Sequence, residues 1–366
     1  MKKRLAAAIM IISAAIMISG CFPTGEKKPN VSEVISESEI FEYNKDNFTA
    51  SFNIPRYQNT LPTKIKLKEK KFDTDEMIDL FYSGKTILQD KTWNGNYYAD
   101  DDSLLCVDSN GVLFCNGKTA PIKKFQIDAP LNYQAVLTVA DECYREIFDI
   151  GTELEGFSSQ SAESRANELI STLGITNLGE PEVFAFSVNT LEKLKENDLA
   201  FAFNEEFPIT KDNEVYILRY SRLVDEIELA DAKLSIKNTT NEKGSSSVSS
   251  PKVTVGISKD EIFYFNAEEV YEPECEIINS EPAKYGLNYA VSELTSYLDK
   301  AFFTSKTTIT KAKPVYIQVE RNSPEYTEFS LAWCFEGISD TAADNYHKDD
   351  YKIFFLSDTG RMIEYK

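Results

Sequence analysis

Apolar residues recur along this chain at two spacings, and the changes between them mark out its elements. Over residues 48–54 and 63–67 they alternate with polar ones, the period of a strand with one wet face. In the second run Ile65 and Leu67 alternate with Lys64, Lys66 and Lys68, which predicts an edge strand with its lysines in water. A short helix is expected over 74–81, stopped by Gly84. Residues 97–125 read as a β-meander. The spacing then lengthens. Residues 135–150 read as a helix, and Ala162, Ala166, Leu169, Ile170 and Leu173 fall on one face of the next, with Gly174 just past its end. Strands are expected at 183–188 and 215–223. Residues 238–251, rich in serine, read as a flexible loop inside a long hairpin.

Further on, 253–257 and 261–265 read as a hairpin. Ser280, Glu281 and Pro282 predict the start of a long helix, along which Ala283, Leu287, Ala290, Val291, Leu294 and Leu298 make one apolar stripe. Strands are expected at 313–320, 328–335 and 351–365, the last folded at Asp358, Thr359 and Gly360. Phe329, Leu331, Trp333 and Phe335 share a face expected to pack under the long helix, with Ala332 and Cys334 on the other. Strands with interspersed helices and no strand–helix–strand alternation predict an α+β fold, antiparallel sheets packed against amphipathic helices. The domains expected are an N-terminal α+β domain over 46–150 and a C-terminal α+β domain over 151–366.

Ahead of these lies a different pattern. Lys2, Lys3 and Arg4 precede an apolar run over 5–17, and Ile18, Ser19, Gly20 and Cys21 close it. A basic start, a short apolar core and small residues ending in cysteine resemble a bacterial lipoprotein signal. The run is shorter than the roughly 20 apolar residues that span a bilayer. The resemblance implies cleavage between Gly20 and Cys21, so that 1–20 is a signal peptide and Cys21 carries the lipid. The expected location is the extracytoplasmic face of the cell membrane, with the bilayer held through acylated Cys21, each buried CH₂ contributing about 0.8 kcal/mol. Residues 21–45, polar and poor in apolar side chains, read as a flexible tether.

Charge and cysteines refine this picture. The net charge is −20, and 42% of residues are hydrophobic, 12% aromatic, enough to build a core. So acidic a chain is a poor ligand for nucleic acid, and no nucleic-acid partner is expected. With Cys21 lipidated, an odd number of cysteines remains. Asn110 and Gly111 are a strong two-residue turn signal. If they form the turn, Cys106 faces Cys115 in a non-hydrogen-bonded pair, with Cα atoms about 4.5 Å apart, and the two are candidates for a disulfide. Two thiols on one strand face is the plain alternative.

Catalytic hardware is sparse. His347 is the one histidine, in an acidic loop with no nucleophile motif beside it. Asp100, Asp101 and Asp102, or Asp340 with Asp344, Asp349 and Asp350, could offer oxygens to Ca²⁺, but neither group has the spacing of a calcium loop. No catalytic residue, cofactor or metal ligand is assigned. One enzymatic alternative stands: a surface hydrolase of wall polymer or glycan using acidic residues, which needs two buried carboxylates facing one cleft.

Over about 214–366 the chain resembles a family of uncharacterised lipoproteins of clostridial and rumen Firmicutes. The resemblance rests on the hairpin over 252–265, the long helix, the strand over 312–319, and 330–337 around Trp333. The final strands are similar to PepSY-like units, in which a strand with Pro, Trp and Phe at alternate positions precedes a hairpin closing on Thr-Gly. Here Leu331 takes the proline position, Leu356 an aspartate position and Met362 an isoleucine position. The auxiliary regulators of the Gram-positive cell-wall sensor kinase contain such units. The resemblance implies a binding or regulatory module without catalysis, partnered by a membrane protein or a cell-wall component.

Overall fold

Strands dominate the chain and gather into two sheets. The computed structural model describes residues 40–54, 61–89, 96–108, 111–116, 133–196, 208–234, 246–248, 252–280, 283–320, 326–340 and 348–365. In chain order come β1 (Ile40–Lys45), β2 (Phe48–Asn53), β3 (Lys64–Glu69), α1 (Thr74–Phe81), β4 (Ile87–Gln89), β5 (Asn96–Ala99), β6 (Leu104–Asp108) and β7 (Gly111–Cys115). Then follow α2 (Tyr133–Val139), α3 (Glu142–Phe148), α4 (Ser159–Thr172), β8 (Glu182–Phe186), α5 (Val188–Glu196), β9 (Val215–Tyr220), β10 (Leu223–Val224), β11 (Ile227–Leu234) and β12 (Ser246–Val248). The last are β13 (Val253–Ser258), β14 (Ile262–Glu268), β15 (Tyr271–Asn279), α6 (Leu287–Lys300), β16 (Thr307–Glu320), β17 (Tyr326–Asp340), β18 (Lys348–Leu356) and β19 (Met362–Tyr365).

Two long strands form the spine of the first, eleven-stranded sheet. β16 and β17 pair antiparallel from Thr307 opposite Ser339 to Glu320 opposite Glu328. Their length lets each take different neighbours at its two ends. β2 runs parallel beside the start of β16, and β11 runs parallel beside its later part. β3 pairs with the start of β17 and β18 with the rest. The spine strands approach so closely that a Cβ on Gly337 would lie 1.9 Å from the Thr308 carbonyl oxygen, which accounts for a glycine in mid-strand. Leu287, Ala290, Leu294 and Leu298 of α6 pack on Trp333, Phe335 and Phe355 of this sheet, and the Trp333 indole donates to the Tyr285 carbonyl at 3.2 Å.

The second sheet has eight antiparallel strands in the order β4-β5-β6-β7-β14-β13-β9-β8. Helices cover both of its faces. Met77 of α1 and Ala162, Ala166 and Ile170 of α4 pack on one face with Tyr216 and Leu218. Val136 of α2, Phe148 of α3 and Leu191 and Leu194 of α5 pack on the other with Val215 and Ile217. Cover on both sides explains why β9 is apolar but for Arg219, and each fully buried apolar side chain there contributes about 1.5–3 kcal/mol. α3 also lies against β18 and so touches the first sheet. Local signals end these helices as the sequence suggests. Asp73 caps α1 by accepting from the amides of Asp75 and Glu76, and Gly174 closes α4 at φ +62°.

Several expectations change. β3 is an inner strand between β15 and β17, so Lys64, Lys66 and Lys68 are not the wet face of an edge. The acidic strand β15 stands beside them: Lys66 is 3.8 Å from Glu276, to which its strand is registered, and lies over the Tyr326 ring at 4.3 Å. The first sheet is mixed, with two parallel pairings. The division at residue 150 does not separate the sheets, because β2 and β3 join β16 and β17, and β7 joins β14. The end of the expected tether is strand: β1 folds onto β2, and Phe41 stacks on Phe52 at 4.9 Å. The helix over 135–150 is broken at Asp141 into α2 and α3. α6 begins at Leu287, later than Ser280. Phe329 and Leu331 pack beside Ile65 and Tyr316 instead of under α6. The loop over 238–251 joins the two sheets, not one hairpin, and three of its residues form β12 against β11; its remainder lies outside the described residues, as do most of the expected tether and 117–125 of the meander.

Candidate functional site

Three of the chain's passages between its two sheets meet at one crowded place. β3 leads to α1 there, β9 leads to β10, and β14 leads to β15. Backbone hydrogen bonds tie the crossings together. The Lys70 amide donates to Val270 at 2.8 Å, the Leu223 amide to Asn177 at 2.7 Å, the Gly179 amide to Ser221 at 2.9 Å and the Leu229 amide to Arg222 at 2.9 Å. Ser221 and Arg222, consecutive at the middle crossing, serve two different polar groups.

Ser221 turns to Glu228, donating at 3.3 Å. Glu228 in turn takes the Lys313 ammonium at 2.5 Å, and Glu336 takes the same ammonium at 3.1 Å. Burial would lower the Lys313 pKa, but the two carboxylates outweigh it and raise it. Lys313 stands opposite Cys334 on the neighbouring strand, so the cation absent from the sequence around Cys334 comes from across the sheet. Cys334 itself is buried among Ala332, Phe354 and Ile317, on the face opposite Trp333 as its alternation predicts.

Arg222 turns the other way and is only 4% exposed. Its guanidinium lies over the Tyr271 ring at 5.0 Å. Among the described residues neither Nε nor Nη1 meets a hydrogen-bond partner. Burial pulls the Arg222 pKa down to about 10, with Tyr271 and Glu269 holding it up, so the side chain stays charged at neutral pH. Burial likewise pushes Tyr271 up to about 12. Thr327 donates to Glu69 at 3.1 Å nearby. Arg222 lines a cavity of about 20 Å³, with Leu67, Leu229 and Val270 as apolar wall and Thr176 and Asn177 at its exposed edge. A wider open groove of about 580 Å³ runs over the Lys66 and Lys68 face of β3, beside Glu272, Glu274 and Tyr326.

The residues singled out from the sequence are not brought together here. Gly20, Cys21, His347 and Asp344 lie outside the described residues. Cys106 and Cys115 are not joined by a disulfide. The hairpin register sets Cys106 opposite Leu113 and Cys115 opposite Leu104, which leaves the two cysteines diagonal, roughly 7–8 Å apart. The reason is that Gly111 belongs to β7 and not to the turn. Its amide donates to the Asp108 carboxylate at 3.2 Å, and at φ +150° it passes so near β14 that a Cβ would lie 2.1 Å from the Ala267 carbonyl oxygen. Asp101 is engaged by Lys85 at 2.8 Å and by Ser103. Among the described residues no three acidic, histidine or cysteine side chains gather as a metal site. Arg222 was missed; in the sequence it is one of two arginines, with Arg219, in the largely apolar stretch over 215–224.

No family model matches the chain, and no curated protein matches it. Among solved structures it is similar to that of an uncharacterised protein from Eubacterium rectale, at 14% identity over 89% of this chain and 93% of that one, with a TM-score of 0.54. A likeness at this identity shows the fold alone: a mixed α/β protein, mostly sheet. No helix among the described residues is long and apolar enough to cross a membrane.

Proposed function

We propose that this chain is a lipid-anchored protein of the extracytoplasmic membrane face whose two-sheet body binds a partner and carries out no catalysis. The carrying observation is the segment from Lys2 to Cys21: a basic start, an apolar run too short to span, and small residues before the cysteine. Cleavage there leaves fewer than twenty residues between Cys21 and β1, which holds the body within roughly 6 nm of the bilayer at full extension. A regulatory role beside a membrane protein or wall component suits such a leash. The order of α6 followed by β16, β17, β18 and β19, with Trp333 under the helix, supports reading this part as PepSY-like.

The hydrolase alternative draws no support from the buried and half-buried acids Glu69, Glu228 and Glu336. Glu228 and Glu336 both close on Lys313, and Glu69 accepts from Thr327. A photo-crosslinker placed in the groove beside Tyr326 on intact cells tests the binding role. A reproducible membrane or wall partner is expected, lost when Cys21→Ser releases the protein. Recovery of background alone in repeated experiments overturns the binding role.

A further inference from the structure

We propose that Arg222 binds a small monovalent anion of chloride size at the junction of the two sheets. A guanidinium cannot shed its proton at neutral pH, so its charge must be met where it lies. The guanidinium carbon of Arg222 lies over the Tyr271 ring, 5.0 Å from the centroid. The N–H groups of Nε and Nη1 find no acceptor among the described residues, inside a side chain that is 4% exposed. A buried charge in that state is strongly unfavourable unless something completes it.

The nearest acids do not complete it. Glu272 borders the same cavity and Glu269 attracts Arg222 through space, yet neither carboxylate reaches Nε or Nη1. The space beside Arg222 is about 20 Å³, room for one water-sized body and too little for phosphate. Leu67, Leu229 and Val270 offer no polar partner from their side chains, and Thr176, Asn177, Tyr271 and Glu272 bring polar groups to the rest of the lining, so the occupant is distinguished from a water by its anomalous signal. A single-atom anion needs only the two N–H groups and the charge behind them. The site is independent of the lipid anchor and of any protein partner.

Crystals of the full chain soaked in sodium bromide test this directly. The expected result is an anomalous peak within hydrogen-bonding distance of Arg222 Nε and Nη1. A water there without anomalous signal, or the Glu269 carboxylate turned onto Arg222, overturns the proposal. In solution, thermal unfolding is followed as chloride replaces gluconate at fixed ionic strength. Above the dissociation constant, each tenfold rise in chloride should raise the folded-to-unfolded ratio about tenfold. Arg222→Met should abolish that dependence. An equal dependence in the variant, or equal stabilisation by gluconate, overturns the proposal. Should Arg222→Met fail to fold, the bromide map of the unaltered protein decides alone.

Discussion

Lys313→Met should separate this fold from the topologies that its sequence alone would permit. Glu228 reaches Lys313 only because β11 lies parallel to β16, a pairing between segments some eighty residues apart in the chain (|i−j| = 85 for the two side chains). Glu336 reaches it from β17. The three side chains are 28%, 24% and 19% exposed, so they are only partly shielded from solvent. Removing one partner of a buried ion pair costs about 3–5 kcal/mol, and the partial exposure here reduces this to about 2–3 kcal/mol. In a cycle with Glu228→Gln the coupling energy should be about 1–2 kcal/mol. The assay is urea unfolding followed by tryptophan fluorescence and circular dichroism. The sign with pH is fixed by the raised pKa of Lys313. Its contribution is fully present below the ordinary value of 10.5 and is lost only as pH rises through the folded value, so the cost should be the same at pH 6 and pH 9. If the two substitutions add to within about 0.5 kcal/mol, Glu228 and Lys313 do not touch, and the place of β11 in the first sheet is wrong.

Other outcomes follow from the geometry. Gly337→Ala puts a methyl group 1.9 Å from the Thr308 carbonyl oxygen and should cost about 3 kcal/mol or more in thermal unfolding, whereas Gly179→Ala, whose nearest neighbour would be 3.7 Å away, should change little; equal effects would contradict the close approach of β16 and β17. Burial pushes Tyr82, Tyr220, Tyr264 and Tyr316 well above the ordinary value of 10. Their contribution to stability is complete below pH 10 and falls away above it, as the unfolded chain ionises first. Ultraviolet titration should therefore show two classes of tyrosine, the second ionising only on unfolding. A single class near pH 10 in the folded protein would refute the burial of these rings.

How much of this was legible in the sequence depended on how local the signal was. β2, α1, α4 with Gly174, and the β13–β14 hairpin are set by periodicity and by residues within a few positions of one another, and they stand where the pattern puts them. The partners of a strand carry no such signal. Ile65 pairs with Phe329 across the sheet, and nothing near Ile65 announces it. β3 looked like an edge because the acidic strand beside it, interrupted by Pro273, was not recognised as a strand; its lysine face does meet solvent, with Lys68 exposed. Gly111 misled for a physical reason: glycine serves both tight turns and close backbone approach, and here the approach of β14 claims it. With that shift Cys106 and Cys115 lie diagonal on one strand face, the plain alternative to facing each other. Arg222 carried no distinguishing signal, since Arg219 interrupts the same stretch, and its unmet charge is a property of three crossings brought together by folding. The proposed leader and its Cys21 are the reverse case, read wholly from the sequence.

The most direct test is therefore made at Cys21. Cells grown with an alkyne fatty acid are fractionated, and the protein's N-terminal peptide is read by mass spectrometry. The account predicts label in the membrane fraction, a mature chain that begins at an acylated Cys21, and loss of both in Cys21→Ser. A chain that keeps residues 1–20, or one cut elsewhere and carrying no lipid, would contradict it.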